Sequence, residues 1–70
     1  MSKLMVRDTS KTYSEMAMKG YSLKLLSEEI GVTNQYLSTV LRGKRNPSPG
    51  LAKKIARSLG LEINDIFFSS

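Results

Sequence analysis

Apolar residues recur along the chain at helical spacing, in blocks separated by glycines. Tyr13, Met16 and Ala17 share one face at i, i+3 and i+4, predicting a helix over about Lys11 to Lys19 with Ser10 as its cap and Gly20 as its stop. Leu23, Leu26 and Ile30 form the stripe of a second helix, about Leu23 to Ile30, capped by Ser22, with Glu28 and Glu29 pointing outward. Gly31 follows it, and Thr33 can cap a third helix over about Asn34 to Arg42. Leu37 and Val40 face inward there; Leu41 could be core or could face a partner. A fourth helix opens with Ser48 as cap and Pro49 at the first helical position, where a missing N–H costs nothing. Leu51, Ala52, Ile55, Ala56 and Leu59 give it a continuous apolar face, opposed by Lys53, Lys54 and Arg57. A short last helix spans about Ile63 to Phe67. Met1 to Thr9 has no helical period and reads as a flexible arm or a short strand, leaving one domain over 10–70. The expected fold is therefore all-α, a compact five-helix bundle.

Composition narrows the chemistry. The 70 residues contain no Cys and no His, which removes disulfides, the usual metal ligands and Ser-His or Cys-His nucleophile pairs. No cofactor or metal is expected. Hydrophobic residues make up 40%, enough for one small core and too many for a disordered chain. The apolar runs are far shorter than the ~20 residues a bilayer span requires, and the N-terminus lacks the apolar region of a signal peptide. A soluble, cytoplasmic protein without a membrane partner is expected. An enzyme is disfavoured: adjacent Glu28 and Glu29 point ~100° apart on a helix and do not converge on one substrate.

The charge is unevenly placed. Lys and Arg total 11 against 6 Asp and Glu, a net charge of +5. No acid occurs from Ile30 to Leu61, a stretch holding Arg42, Lys44, Arg45, Lys53, Lys54 and Arg57. A basic block of this kind suits a polyanion, nucleic acid first; its plain alternative is a solubility face. Lys53, Lys54 and Arg57 fit the solvated reading better.

The segment Leu23 to Leu41 joins two helices through a tight glycine-containing turn, the helix-turn-helix arrangement. Ser27 is small enough for close helix approach. The outer face of the second helix of the pair carries Asn34, Gln35, Ser38, Thr39 and Arg42. Ser, Thr and Asn are mediocre helix formers, so an exposed face built from them gives up helix propensity. Their side chains suit base edges in a major groove, which admits one helix.

These residues carry a resemblance. Leu26-Ser27, Gly31-Val32-Thr33, Tyr36-Leu37-Ser38, the loop Arg42-Gly43-Lys44-Arg45-Asn46-Pro47-Ser48, Leu51 to Ala56 and Leu59-Gly60-Leu61 resemble the lambda-repressor-like DNA-binding domains. These are helix-turn-helix regulators of the Cro/CI or Xre type. The resemblance covers about Tyr13 to Phe67. It implies a third helix in the major groove, with Thr33, Asn34, Gln35, Ser38, Thr39 and Arg42 reading bases or nearby phosphates. It implies backbone contacts from Lys44, Arg45 and Asn46, to which Ser22 and Tyr36 are added as candidates. Tyr36 could equally pack over the turn. Leu23 stands where the family often has a phosphate-touching Gln, and Leu41 where it often has Glu or Trp. The expected function is a sequence-specific transcriptional regulator of double-stranded DNA, a repressor or Cro-like switch. It would bind a pseudo-palindromic operator as a homodimer that is weak or absent in free solution. The alternative is a protein-interaction module, of antitoxin or anti-repressor type, using Leu41, Phe67 and Phe68; adjacent Phe67 and Phe68 cannot easily both reach the core.

Overall fold

The computed structural model describes residues 3–70; Met1 and Ser2, the start of the expected arm, lie outside them. In chain order it contains β1 (Leu4–Val6), α1 (Thr9–Met18), α2 (Leu23–Ile30), α3 (Asn34–Leu41), α4 (Pro49–Ser58), α5 (Ile63–Ile66) and β2 (Phe67–Ser69). The five helices are those expected from the periodicity. Three of the caps also match: Ser22, Thr33 and Ser48 each accept a hydrogen bond from the backbone N–H three residues on, at 3.1, 3.0 and 3.2 Å.

The first helix differs. Asp8, not Ser10, is its cap, accepting from Lys11 N at 3.0 Å, so α1 starts two residues earlier than Ser10 would set it. Ala17 is exposed, and Thr12 takes a place in the interior instead, one turn before Met16. Burying a hydroxyl is tolerable because Thr12 Oγ1 donates to Asp8 O at 2.9 Å.

The fold is mostly helical, as expected, with one small two-stranded ribbon beside the helices. The segment before α1 contains a strand, β1, which pairs antiparallel with β2 in the register Leu4–Ser69, Met5–Phe68 and Val6–Phe67. The last helix stops at Ile66 because Phe67 turns extended, at φ −120° and ψ 160°. Side chains alternate along a strand, so Phe67 turns into the core while Phe68 turns out, 1% and 37% exposed.

The core consists of Met16, Leu26, Ile30, Leu37, Val40, Leu41, Ala52, Ile55, Ala56, Leu59, Ile66 and Phe67. Helix α2 lies against α3 and α4, α4 against α5, and the ribbon against α3. Two hydrogen bonds tie the end of α3 and the loop after it to the start of α1 and to β1. Thr9 Oγ1 donates to Leu41 O, satisfying a carbonyl at the helix end. Asn46 Nδ2 donates to Leu4 O at 2.9 Å. Gly43 sits between them at φ 77°, and a Cβ there would meet Val6 Cγ1 at 3.6 Å.

Candidate nucleic-acid interface

The orientation of α3 follows from its buried side. Leu37, Val40 and Leu41 are wholly buried. At about 100° per residue, Gln35, Thr39 and Arg42 then point directly away from the core, with Asn34 and Ser38 on the flank nearer Leu41. Asn34, Gln35 and Arg42 are exposed, and Ser38 and Thr39 half-buried. The corner that presents this face is local. Gly31 ends α2 in the left-handed conformation at φ 80°, and its N–H bonds Ser27 O at 2.9 Å. Val32 N also bonds Ser27 O at 2.9 Å, which closes the turn.

The face offers different chemistry at each position. Thr39 Oγ1 donates to Gln35 O at 2.7 Å, so its proton is spent within the helix and its methyl and oxygen lone pairs remain. Arg42 Nε makes only a long 3.4 Å bond to Ser38 O, which leaves the end of the guanidinium free. Thr33 and Ser22 use their oxygens as caps, and each hydroxyl keeps its proton to donate.

Lys44, Arg45 and Asn46 are exposed beyond the end of α3, and Pro47, which follows, is buried and anchors the loop. The Arg45 guanidinium lies 5.0 Å from the centre of the Tyr36 ring, a cation–π contact that ties the loop to the helix. Tyr36 itself is half-buried and packs on the core, so both its body and one ring face are occupied. Asn46 has a structural task through Leu4, which holds the loop against the ribbon.

Two candidate partner contacts are corrected. Leu41 and Phe67 are 0% and 1% exposed and belong to the core, where no partner reaches them. Leu41 is inward because it lies one turn from Leu37 on the same helix side; Phe67 is inward by strand alternation. Phe68 stays at the surface, with the Arg7 guanidinium 5.8 Å from its ring centre. Leu23 is half-buried against the core.

The cations of α4 have a different setting. Lys53 and Arg57 border a shallow depression with Leu61, Glu62 and Ile63, at the junction with α5. Glu62 therefore stands beside them.

Two features escaped the sequence reading. Ser27 is 2% exposed, and its hydroxyl is within reach of both Lys24 O and the Asn34 side-chain amide. Its signal was weak: a Ser beside Leu26 on the stripe, seven residues before Asn34. The second is a polar cluster behind the corner. Tyr21 OH donates to the Glu29 carboxylate at 2.6–2.7 Å. Hydrogen bonds from Ser58 and then Tyr21 hold Glu29 below the usual glutamate pKa, while the bond to Glu29 raises that of Tyr21. This cluster joins the α1–α2 connection, α2 and α4.

The family model for helix-turn-helix proteins (HTH_3) matches residues 14–66. The chain belongs to this helix-turn-helix family. It is 42% identical over 50 residues to the HTH-type transcriptional regulator SlrR of Bacillus subtilis, covering 70% of this chain and 33% of SlrR. The chain thus spans about a third of that relative's length. It is 45% identical over 49 residues to an HTH-type transcriptional regulator of Methanothermobacter thermautotrophicus, covering 69% of this chain and 71% of the relative. Among solved structures it resembles SinR, the Bacillus subtilis master regulator for biofilm formation, in a crystal structure with DNA. The TM-score is 0.68 at 32% identity, over 80% of this chain and 90% of that one. Among the described residues no helix is long and apolar enough to cross a membrane, and no group of acids could hold a metal ion.

Proposed function

We propose that this chain is a sequence-specific double-stranded DNA-binding transcription regulator that reads the major groove with α3. The observation that carries the proposal is one continuous surface. The outer face of α3 bears Asn34, Gln35, Ser38, Thr39 and Arg42 and runs into an exposed Lys44–Arg45 loop in a stretch without acids. SinR, similar in fold and sequence, is a regulator whose crystal structure includes DNA, which supports the same ligand for this chain. Gln35, Asn34 and Arg42 supply base contacts, with Ser38 and the Thr39 methyl beside them; Lys44, Arg45, and the hydroxyls of Ser22 and Thr33 supply phosphate contacts. The protein acts as a non-enzymatic repressor or Cro-like switch in the cytoplasm, on a pseudo-palindromic operator. Two copies occupy half-sites about 34 Å apart. The antitoxin or anti-repressor alternative keeps only Phe68 of its three contact residues.

Selection from random duplex DNA at near-physiological salt, followed by sequencing, tests the proposal. Enrichment of a palindromic motif is expected. Gln35→Ala or Ser38→Ala should then change the preferred bases. Binding that falls with salt and enriches no motif would refute the reading.

A further inference from the structure

Arg45 reaches back from the loop onto α3. Its guanidinium sits 5.0 Å from the ring centre of Tyr36, in the first turn of that helix. At about 100° per residue, Tyr36 stands on the flank between buried Val40 and outward Thr39. Its body packs on the core, which fixes the ring. The loop backbone is fixed as well. Gly43 N and Lys44 N bond Val40 O and Thr39 O at 3.1 and 3.0 Å, closing the helix end around left-handed Gly43. Asn46 bonds Leu4 O at 2.9 Å, and Pro47 is buried. What such a loop leaves loose is the long side chain of exposed Arg45, among the richest in rotamers. A ring face restrains that side chain without neutralising it. A carboxylate in the same place would take the N–H groups and compete with a phosphate.

We infer that Tyr36 is a positioning residue for Arg45: its ring holds the guanidinium beside the base-reading face of α3 before DNA arrives, and the guanidinium takes a phosphate without leaving the ring. This rests on the reading of α3 and its loop as the DNA-contacting surface. Attraction to a ring face is electrostatic and occupies no N–H hydrogen, so the donors of the fork remain for phosphate oxygens. Less ordering of the side chain is then left to occur on binding. Because the platform belongs to α3, the phosphate contact is measured from the helix that meets the bases, and phosphate contacts set register on the duplex. Tyr36 therefore acts on affinity through Arg45, for every sequence alike.

The test is a double-mutant cycle read as affinity for the duplex that the wild-type chain selects, with circular dichroism melts alongside. Position 36 carries Tyr, Phe (Tyr36→Phe) or pentafluorophenylalanine, a ring of similar size whose face no longer attracts a cation; position 45 carries Arg or Ala (Arg45→Ala). Tyr36→Phe should bind within 2-fold of wild type. The fluorinated ring should weaken binding about 2- to 5-fold beside Arg45 and leave it unchanged in the Arg45→Ala background. A ring that merely packs would act equally in both. Should the fluorinated chain fail to fold, the proton spectrum of the free wild-type chain decides: the ring should shift the Arg45 side-chain protons upfield, and Tyr36→Leu should return them. Ordinary shifts in the wild type overturn the inference. A ring effect independent of Arg45, no effect, or tighter binding with the fluorinated ring overturns it too. Arg45→Ala that binds as well as wild type does the same and leaves the proposed function standing. A wild-type chain that enriches no motif removes both.

Discussion

The α2–α3 corner and the β1–β2 ribbon both pack against α3, and they are built in opposite ways. The corner is made of residues 22–41. Its caps, its left-handed Gly31 and its Ser27–Asn34 contact all connect positions within a few turns of one another. The ribbon joins Leu4–Val6 to Phe67–Ser69 across nearly the whole chain; β1 packs on α3 and accepts from Asn46 of the loop that follows it. The corner sets which side chains α3 displays. The ribbon sets where the loop after α3 sits. A base-reading face can therefore be specified locally, while the phosphate-gripping loop depends on the ends of the chain meeting.

The largest test of this division lies in the adjacent phenylalanines. Phe67→Ala removes a fully buried ring from the ribbon and should cost about 3–5 kcal/mol in urea unfolding. Phe68→Ala should cost well under that, about 1 kcal/mol or less. Equal losses would mean the ribbon does not impose the alternation. Next comes the loop. Lys44→Ala with Arg45→Ala should weaken binding to all DNA sequences alike and flatten the slope of log K against log salt by about 2. Lys53→Ala with Arg57→Ala, on the α4 face, should barely move that slope. Gly31→Ala tests the corner: a Cβ at φ 80° should cost about 1–2 kcal/mol by thermal or urea melt, although nothing lies within 4 Å of it. Asn46→Ala should cost less, about 0.5–1 kcal/mol, because its bond to Leu4 O is exposed. It should also lower DNA affinity without changing the selected motif, by loosening the loop.

The smallest effect is in pH. Glu29 is held below its usual pKa by Ser58 and Tyr21, so its contribution to stability is present above the usual glutamate range and fades as pH falls through the folded value. Tyr21 is raised by Glu29, so its contribution is present below the ordinary tyrosine pKa and fades as pH climbs past it. Tyr21→Phe should remove the alkaline loss and make the acid loss shallower in melts across pH.

Much of the corner was legible because capping and periodicity are short-range. Ser22, Thr33 and Ser48 cap the helices expected of them, and Leu26, Ile30, Leu37 and Val40 are the buried stripe. The face of Asn34, Gln35, Ser38, Thr39 and Arg42 also follows from the 100° period once its buried side is known. The first helix was less legible. Asp8 and Ser10 are both good caps, and the choice turned on Thr12, whose hydroxyl bonds Asp8 O and fills an interior position that Ala17 was expected to take.

The sequence by itself determined the five helices, the corner and the basic, acid-free loop. Each rests on neighbours along the chain, where rotamer sterics, capping hydrogen bonds and apolar spacing act over a few residues. Only the tertiary structure decided which of Phe67 and Phe68 is core, that Leu41 is buried, that β1 exists, and that Asn46 and Ser27 are engaged. A three-residue strand has no stability until its partner supplies backbone hydrogen bonds, and a hydroxyl or amide has no assigned role until a particular acceptor stands within 3 Å of it.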